Sequence, residues 1–90
     1  MKTIITFKIK EAAIQCGVNP EVIEQFINDE WVNPLDPKEL KLDEEDIARI
    51  QLIWELKKDL GVNDEAVPII LHLIDELNHL HLVFKDRNLQ

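Results

Sequence analysis

Three histidines, one cysteine and a few paired carboxylates are the side chains of this 90-residue chain that could do chemistry. His72 and His79 lie on one face of a helical stretch, but seven residues apart. That is about 10 Å by helical rise, too far to share a metal. His79 and His81 point to different faces, so all three read as polar-face or interface residues. Cys16 is the sole cysteine, which excludes an intrachain disulfide and fits a reducing compartment. Near the end of an apolar helix face it reads as a small buried hydrophobe; a nucleophilic thiol would want basic neighbours. Asp75 and Glu76 are adjacent, so their carboxylates diverge on a helix and belong to a solvated face. The chain has no serine and no glycine-rich phosphate loop. No catalytic residue, metal site or cofactor is expected, and no enzyme.

Charge recognition is the chemistry left over. Eighteen acidic residues against ten basic ones give a net charge of -8. Such a chain is repelled by nucleic acid and anionic membranes and attracted to a basic protein surface. Ala13, Gly17 and Ile23 have the spacing of a helix-turn-helix: a small residue where two helices cross, a glycine in the turn, and an apolar lock on the second helix. The second helix of such a motif reads the DNA major groove. Here the stretch from Pro20 to Glu30 carries Glu21, Glu24, Asp29 and Glu30 and neither Lys nor Arg. Because DNA affinity comes largely from neutralising phosphates, DNA binding is not expected and a protein partner is.

The elements that position these groups are legible in the patterning. Ninety residues with 46% apolar side chains and two glycines support one small globular domain spanning 1–90. Thr3 to Ile9 is β-branched and alternating, with Ile5, Phe7 and Ile9 on one side: a short strand or extended arm. Lys10 to Cys16 forms a short helix with Ala13 and Ile14 inward, ended by Gly17 as a left-handed cap on which Val18 packs back. Asn19-Pro20-Glu21 starts the second helix, with Asn19 as capping side chain and Val22, Ile23, Phe26 and Ile27 as its buried stripe. Asn33-Pro34-Leu35-Asp36-Pro37 forbids helix and makes a winged connection to Leu40 and Leu42.

Asp43 caps a third helix, with Asp46 in the capping-box position. Ile47, Ile50, Ile53, Trp54 and Leu60 recur at helical spacing along it, and Gly61-Val62 closes it. The last helix starts at Asn63-Asp64-Glu65 and runs to about Lys85, with Pro68 near its first turn shifting the start or kinking it. Ala66, Ile70, Leu73, Leu77, Leu80 and Phe84 step by four and three alternately, a heptad seam, and Val67, Ile69 and Ile74 widen the apolar face. A helix about 30 Å long cannot hide both faces against three short elements. Its C-terminal half is therefore expected to meet a second copy, through Ile70, Leu73, Leu77, Leu80 and Phe84, or another partner, with packing on its own domain as the weaker alternative. The division is thus a core at 1–62 and a long helix at 63–90. The longest apolar run, Ala66 to Leu71, is far short of a membrane span, and charges break the N-terminal apolar run too early for a signal peptide. A cytoplasmic location and no membrane partner are expected.

Several motifs together resemble a known group. Phe7-Lys8-Ile9-Lys10-Glu11-Ala12-Ala13, Gly17-Val18, Val32-Asn33-Pro34 and Leu42-Asp43-Glu44-Glu45-Asp46-Ile47 follow the layout of the MerR-like winged helix-turn-helix. Leu60-Gly61-Val62-Asn63 followed by Ile70-Leu71-His72-Leu73-Ile74-Asp75-Glu76-Leu77 is similar to its short chaperone-modulator (CbpM) branch. The resemblance implies a mainly α fold, a MerR-like winged helix-turn-helix with an N-terminal strand or arm and a long C-terminal helix. It implies binding to the J-domain of a CbpA- or DnaJ-type co-chaperone and inhibition of its productive interaction with the DnaK chaperone. The missing recognition-helix arginine, the wing without glycine and rich basic residues, and the lack of an effector domain after the last helix set this chain apart from DNA-binding MerR regulators. Such an acidic regulator, binding DNA as a dimer with Lys38 and Lys41 on its wing, is the alternative.

A J-domain recruits DnaK through a basic helix, which an acidic protein can occupy. The candidate contacts are Glu21, Glu24, Asp29, Glu30 and Trp31, with Asp43, Glu44 and Glu45 at the third helix start. Glu24 and Glu30 have the least local reason to be acidic. Glu21 and Asp43 to Asp46 also complement helix dipoles. Trp54 is expected in the core, and Trp31 is evenly placed between core and interface anchor.

Overall fold

Four helices emerge in the order α1 (Ile9–Cys16), α2 (Pro20–Asn28), α3 (Glu44–Lys58) and α4 (Val67–Asn88). The computed structural model describes residues 4–34, 36 and 38–88, the last four by backbone alone. The start of the arm at Thr3 and the loop residues Leu35 and Pro37 lie outside the described residues.

α1 begins where Glu11 Oε1 accepts the Lys8 amide at 2.9 Å. Its inward face is Ala12 and Ala13, flanked by half-buried Ile9 and Cys16. This is an i, i+3, i+4, i+7 stripe, and it places Ile14 on the opposite side, 82% exposed. Ile14 is thus not an inward residue; Ala12, one helical step from Ala13, takes that place. Gly17 sits at φ 68° as expected, and the Val18 amide donates to the Ala13 carbonyl at 3.1 Å. Pro20 opens α2, although the Asn19 side chain makes no capping bond. Ile23 and Phe26 are its buried residues, with Val22 and Ile27 packed beside them.

Past α2 the chain turns sharply inward. Glu30 adopts a left-handed φ of 63°, and the amides of Trp31 and Val32 both donate to the Phe26 carbonyl. Trp31 and Val32 are thereby driven into the core. The Trp31 ring meets Phe26 with centroids 5.7 Å apart.

The wing is minimal. Asp36 and Lys41 form an antiparallel bridge, tightened by Asp36 Oδ1 accepting the Lys38 and Glu39 amides. The N-terminal arm pairs through one residue only, Phe7 with Leu42, at 2.7 and 2.9 Å. Of the two expected forms, strand or extended arm, the described residues take the second: Ile4 and Ile5 stay exposed and only Phe7 pairs.

α3 opens with a reciprocal capping box: Asp43 Oδ1 accepts the Asp46 amide at 2.8 Å, and Asp46 Oδ2 accepts the Asp43 amide at 3.0 Å. Ile47, Ile50, Ile53 and Leu56 are buried, and Trp54 packs at the margin of the core. Leu60 departs from the expected stripe and is 71% exposed. The helix ends at Lys58, and the backbone reverses through Gly61 at φ 66°, which brings Val62 rather than Leu60 onto the core.

The last helix begins four residues later than Asn63. Asn63 to Ala66 form a turn in which the Asn63 side chain and carbonyl both accept the Ala66 amide. Pro68 then occupies the second helical position, where its missing N–H costs nothing. Val67 and Leu71 plug the core, with Ile70 and Ile74 half-buried. From Asp75 to Phe84 every side chain is exposed. The radius of gyration, 14.6 Å, exceeds the roughly 12 Å of a rounded 90-residue domain, as a projecting helix requires.

Candidate partner-binding surface

The helix-turn-helix presents the outer side of α2. With Ile23 and Phe26 turned inward, helical spacing leaves Glu21, Glu24, Gln25 and Asn28 outside, all exposed. Asp29, accepting from Gln25 Nε2 at 3.1 Å, and Glu30 extend that face past the helix end. The resulting surface carries four carboxylates. Trp31 does not join them: at 7% exposure it is a core side chain, with Lys57 Nζ lying 5.5 Å from its ring centroid. The burial of both Trp31 and Val32 explains why, since the left-handed turn at Glu30 sends them beneath α2.

Three cations of the wing and α3 have partners of their own. On the wing, Lys41 contacts Glu39 at 2.8 Å, and the Glu39 carboxylate holds the Lys41 ammonium above its ordinary pKa. On α3, Lys57 bridges to Asp64 at 2.9 Å and Lys58 lies over the Trp54 ring. Lys38 is exposed at the wing tip.

The acidic start of α3 divides by role. Glu44 and Glu45 are exposed, whereas Asp43 and Asp46 are half-buried in the capping box. Burial raises the Asp46 carboxyl above its ordinary pKa, and the nearby Asp43 and Glu45 charges push the same way. The Asp43 amide bond to Asp46 opposes this. Glu45 and Asp46 also line an open groove of about 760 Å³ between α3 and α4, with Ala48, Arg49 and Leu52 on one wall and Ile74, Asp75, Asn78 and Leu82 on the other.

Arg49 is the residue that sequence patterning did not single out. Its Nε donates to the Trp31 carbonyl at 2.6 Å, and Nη1 reaches Asp75 Oδ1 at 3.1 Å. One side chain thus ties the end of the helix-turn-helix to α3 and α4. Asp75 is accordingly an ion-pair partner rather than a merely solvated carboxylate. The available signal was an arginine in the first half of a helix whose other two cations sit in its last turn.

α4 carries two separate apolar stripes. Val67, Leu71, Ile74 and Leu82 lie toward the domain and groove, while Ile70, Leu73, Leu77, Leu80 and Phe84 follow a stripe rotated about 120° away. Leu73, Leu77, Leu80 and Phe84 are 61%, 66%, 53% and 63% exposed. Four exposed large apolar side chains along one stripe make it a candidate interaction surface. Taken as an 18-residue window, Val67–Phe84 has mean hydropathy 1.2 with 11% of it buried, long and apolar enough to cross a membrane by length and composition. This corrects the expectation drawn from the short run Ala66 to Leu71. Asp75 and Glu76 fall at the middle of that window, where a carboxylate costs about 2.5–3.5 kcal/mol in a bilayer.

The Cys16 thiol is raised by burial, with Sγ against the Ile47 carbonyl at 3.8 Å, a setting that disfavours thiolate. Among the described residues no three His, Cys, Asp or Glu side chains converge as a metal site. Comparison with known proteins matches residues 7–85 to the family described as MerR HTH family regulatory protein. No curated protein matches the chain.

Proposed function

This chain belongs to the MerR HTH family of regulatory proteins, and from that premise we propose that it acts on a protein rather than on DNA. The partner is the J-domain of a CbpA- or DnaJ-type co-chaperone, and binding blocks productive interaction with DnaK. The observation that carries this reading is the outer face of α2. It presents Glu21, Glu24, Asp29 and Glu30 where a DNA reader needs cations. Two further features support it. The family match extends along the last helix to residue 85, and the side chains of that helix from Asp75 to Phe84 are exposed. The stretch Leu60-Gly61-Val62-Asn63, which resembles the chaperone-modulator branch in sequence, reverses the chain after α3 with Gly61 at positive φ.

The mechanism is competition. The carboxylates meet the basic helix through which a J-domain engages DnaK, steering association electrostatically and occupying the surface. The exposed α4 stripe pairs two copies, so that each assembly presents two acidic faces. A lone, half-buried thiol suits the cytoplasm as the place of action. Family membership is compatible with both this reading and the alternative, a DNA-binding regulator using Lys38 and Lys41.

One pair of measurements separates the two. The chain is expected to suppress J-domain-stimulated ATP hydrolysis by DnaK and to leave promoter DNA unshifted at physiological salt. A footprint on a defined operator at submicromolar protein, with ATP hydrolysis unaffected, reverses the assignment.

A further inference from the structure

We propose that the groove between α3 and α4 seats a basic amphipathic helix supplied by a protein partner. This goes beyond the reading above, on which it rests only for the partner being basic, and adds to the α2 face a second contact that sequence patterning did not place. Glu45, Ala48, Arg49 and Leu52 recur at i, i+3, i+4 and i+7 along one wall, and Ile74, Asn78 and Leu82, with Asp75 beside them, step by four along the other. Ala48 and Leu82 are exposed apolar residues. From Ile74 to Leu82 the groove runs about 12 Å, which is about two turns of an inserted helix. Helix-in-groove recognition uses apolar anchors at that spacing.

Charge decides what the helix must carry. Arg49 is spent on the Trp31 carbonyl and on Asp75. No ion pair among the described residues reaches Glu45 or Asp46. The groove rim is therefore a negative edge without an ion-pair partner for Glu45 or Asp46, beside apolar side chains of both walls. Lysine or arginine beside an apolar stripe complements it. Nucleic acid and anionic lipid headgroups do not. The apolar length of a second α4 does not either: Val67 to Phe84 contains no Lys or Arg, and the Lys85 and Arg87 of that helix follow its last apolar residue.

The test is a titration of the full chain, isotope-labelled for NMR, with a short synthetic Leu/Lys amphipathic helix. Shifts are expected at Ala48, at the Arg49 Nε–H and at the side-chain amides of Asn33 and Asn78, which line the groove. Ala48→Arg, on an exposed helical position, fills the wall and adds a positive charge; it is expected to weaken binding at least about tenfold. Gln15→Arg adds the same charge on α1, outside the groove, and is expected to change affinity less than about threefold. No saturable binding, shifts centred on α2, or equal losses in the two variants overturns the groove assignment. A parallel titration with a DnaJ-type J-domain separates the two levels. J-domain binding that ignores Ala48→Arg overturns the groove and leaves the functional reading standing. A seated peptide with no J-domain binding keeps the groove and removes that reading.

Discussion

Arg49 joins three elements with one side chain, and its replacement by Met separates the two bonds it makes. The methionine keeps an apolar stem of similar reach along α3 and removes both contacts. The bond from Nε to the Trp31 carbonyl is short and part-buried, and a hydrogen bond from a charged donor contributes about 1.5–3 kcal/mol. The bridge to Asp75 is different: the carboxylate side chain is 56% exposed, and pairs of that kind contribute about 0.2–1 kcal/mol. Arg49→Met is therefore expected to cost about 2–4 kcal/mol, and Asp75→Asn no more than about 1 kcal/mol. For a domain of this size a loss of 2 kcal/mol lowers Tm by about 8–16 °C. Urea unfolding followed by tryptophan fluorescence reads both variants, since Trp31 lies in the affected region. If the two variants lose equal stability, the carbonyl bond contributes nothing and Arg49 is only a surface ion. If Asp75→Asn loses more, the anchoring of α4 has been assigned to the wrong contact.

Other consequences can be checked with single variants. Wild-type protein is expected to sediment as a dimer at tens of micromolar and the Leu77→Glu, Leu80→Glu double variant as a monomer, because both side chains are exposed on the free stripe of α4; a monomeric wild type refutes the pairing. Reversing Glu24 and Glu30 to Lys is expected to slow J-domain association several-fold and to flatten its salt dependence, with stopped-flow rates as the measure; unchanged rates place the contact elsewhere. Asp46 binds its proton more tightly in the folded chain than in the unfolded one, so its contribution to stability falls as pH rises from the ordinary carboxyl value of 3.8 through the raised one. Asp46→Asn, which keeps an acceptor oxygen for the Asp43 amide, is expected to reduce that decline in urea midpoints between pH 4 and 7; a variant with an undiminished decline assigns it to other groups.

What the sequence determined by itself was local. Gly17 and Gly61 follow their helices because a left-handed residue there costs glycine least, and both are found at positive φ. Asp43 and Asp46 cap α3 through bonds spanning three residues, and Pro20 opens α2 from within its own first turn. The charge of α2 was equally legible, since an outward acid needs only the helical period and the buried Ile23 and Phe26 to be placed. Where long-range packing chose between local options, patterning went astray. Ile14 and Leu60 have the composition of core residues, but the register of α1 and the reversal after Lys58 leave them in solvent. Trp31 was balanced between interface and core until the backbone turn at Glu30 aimed it beneath α2. The groove and Arg49 were out of reach for the same reason. A wall shared by α3 and α4, and a bond between residues 49 and 75, depend on how two helices far apart in the chain diverge, and helical periodicity describes only one helix at a time.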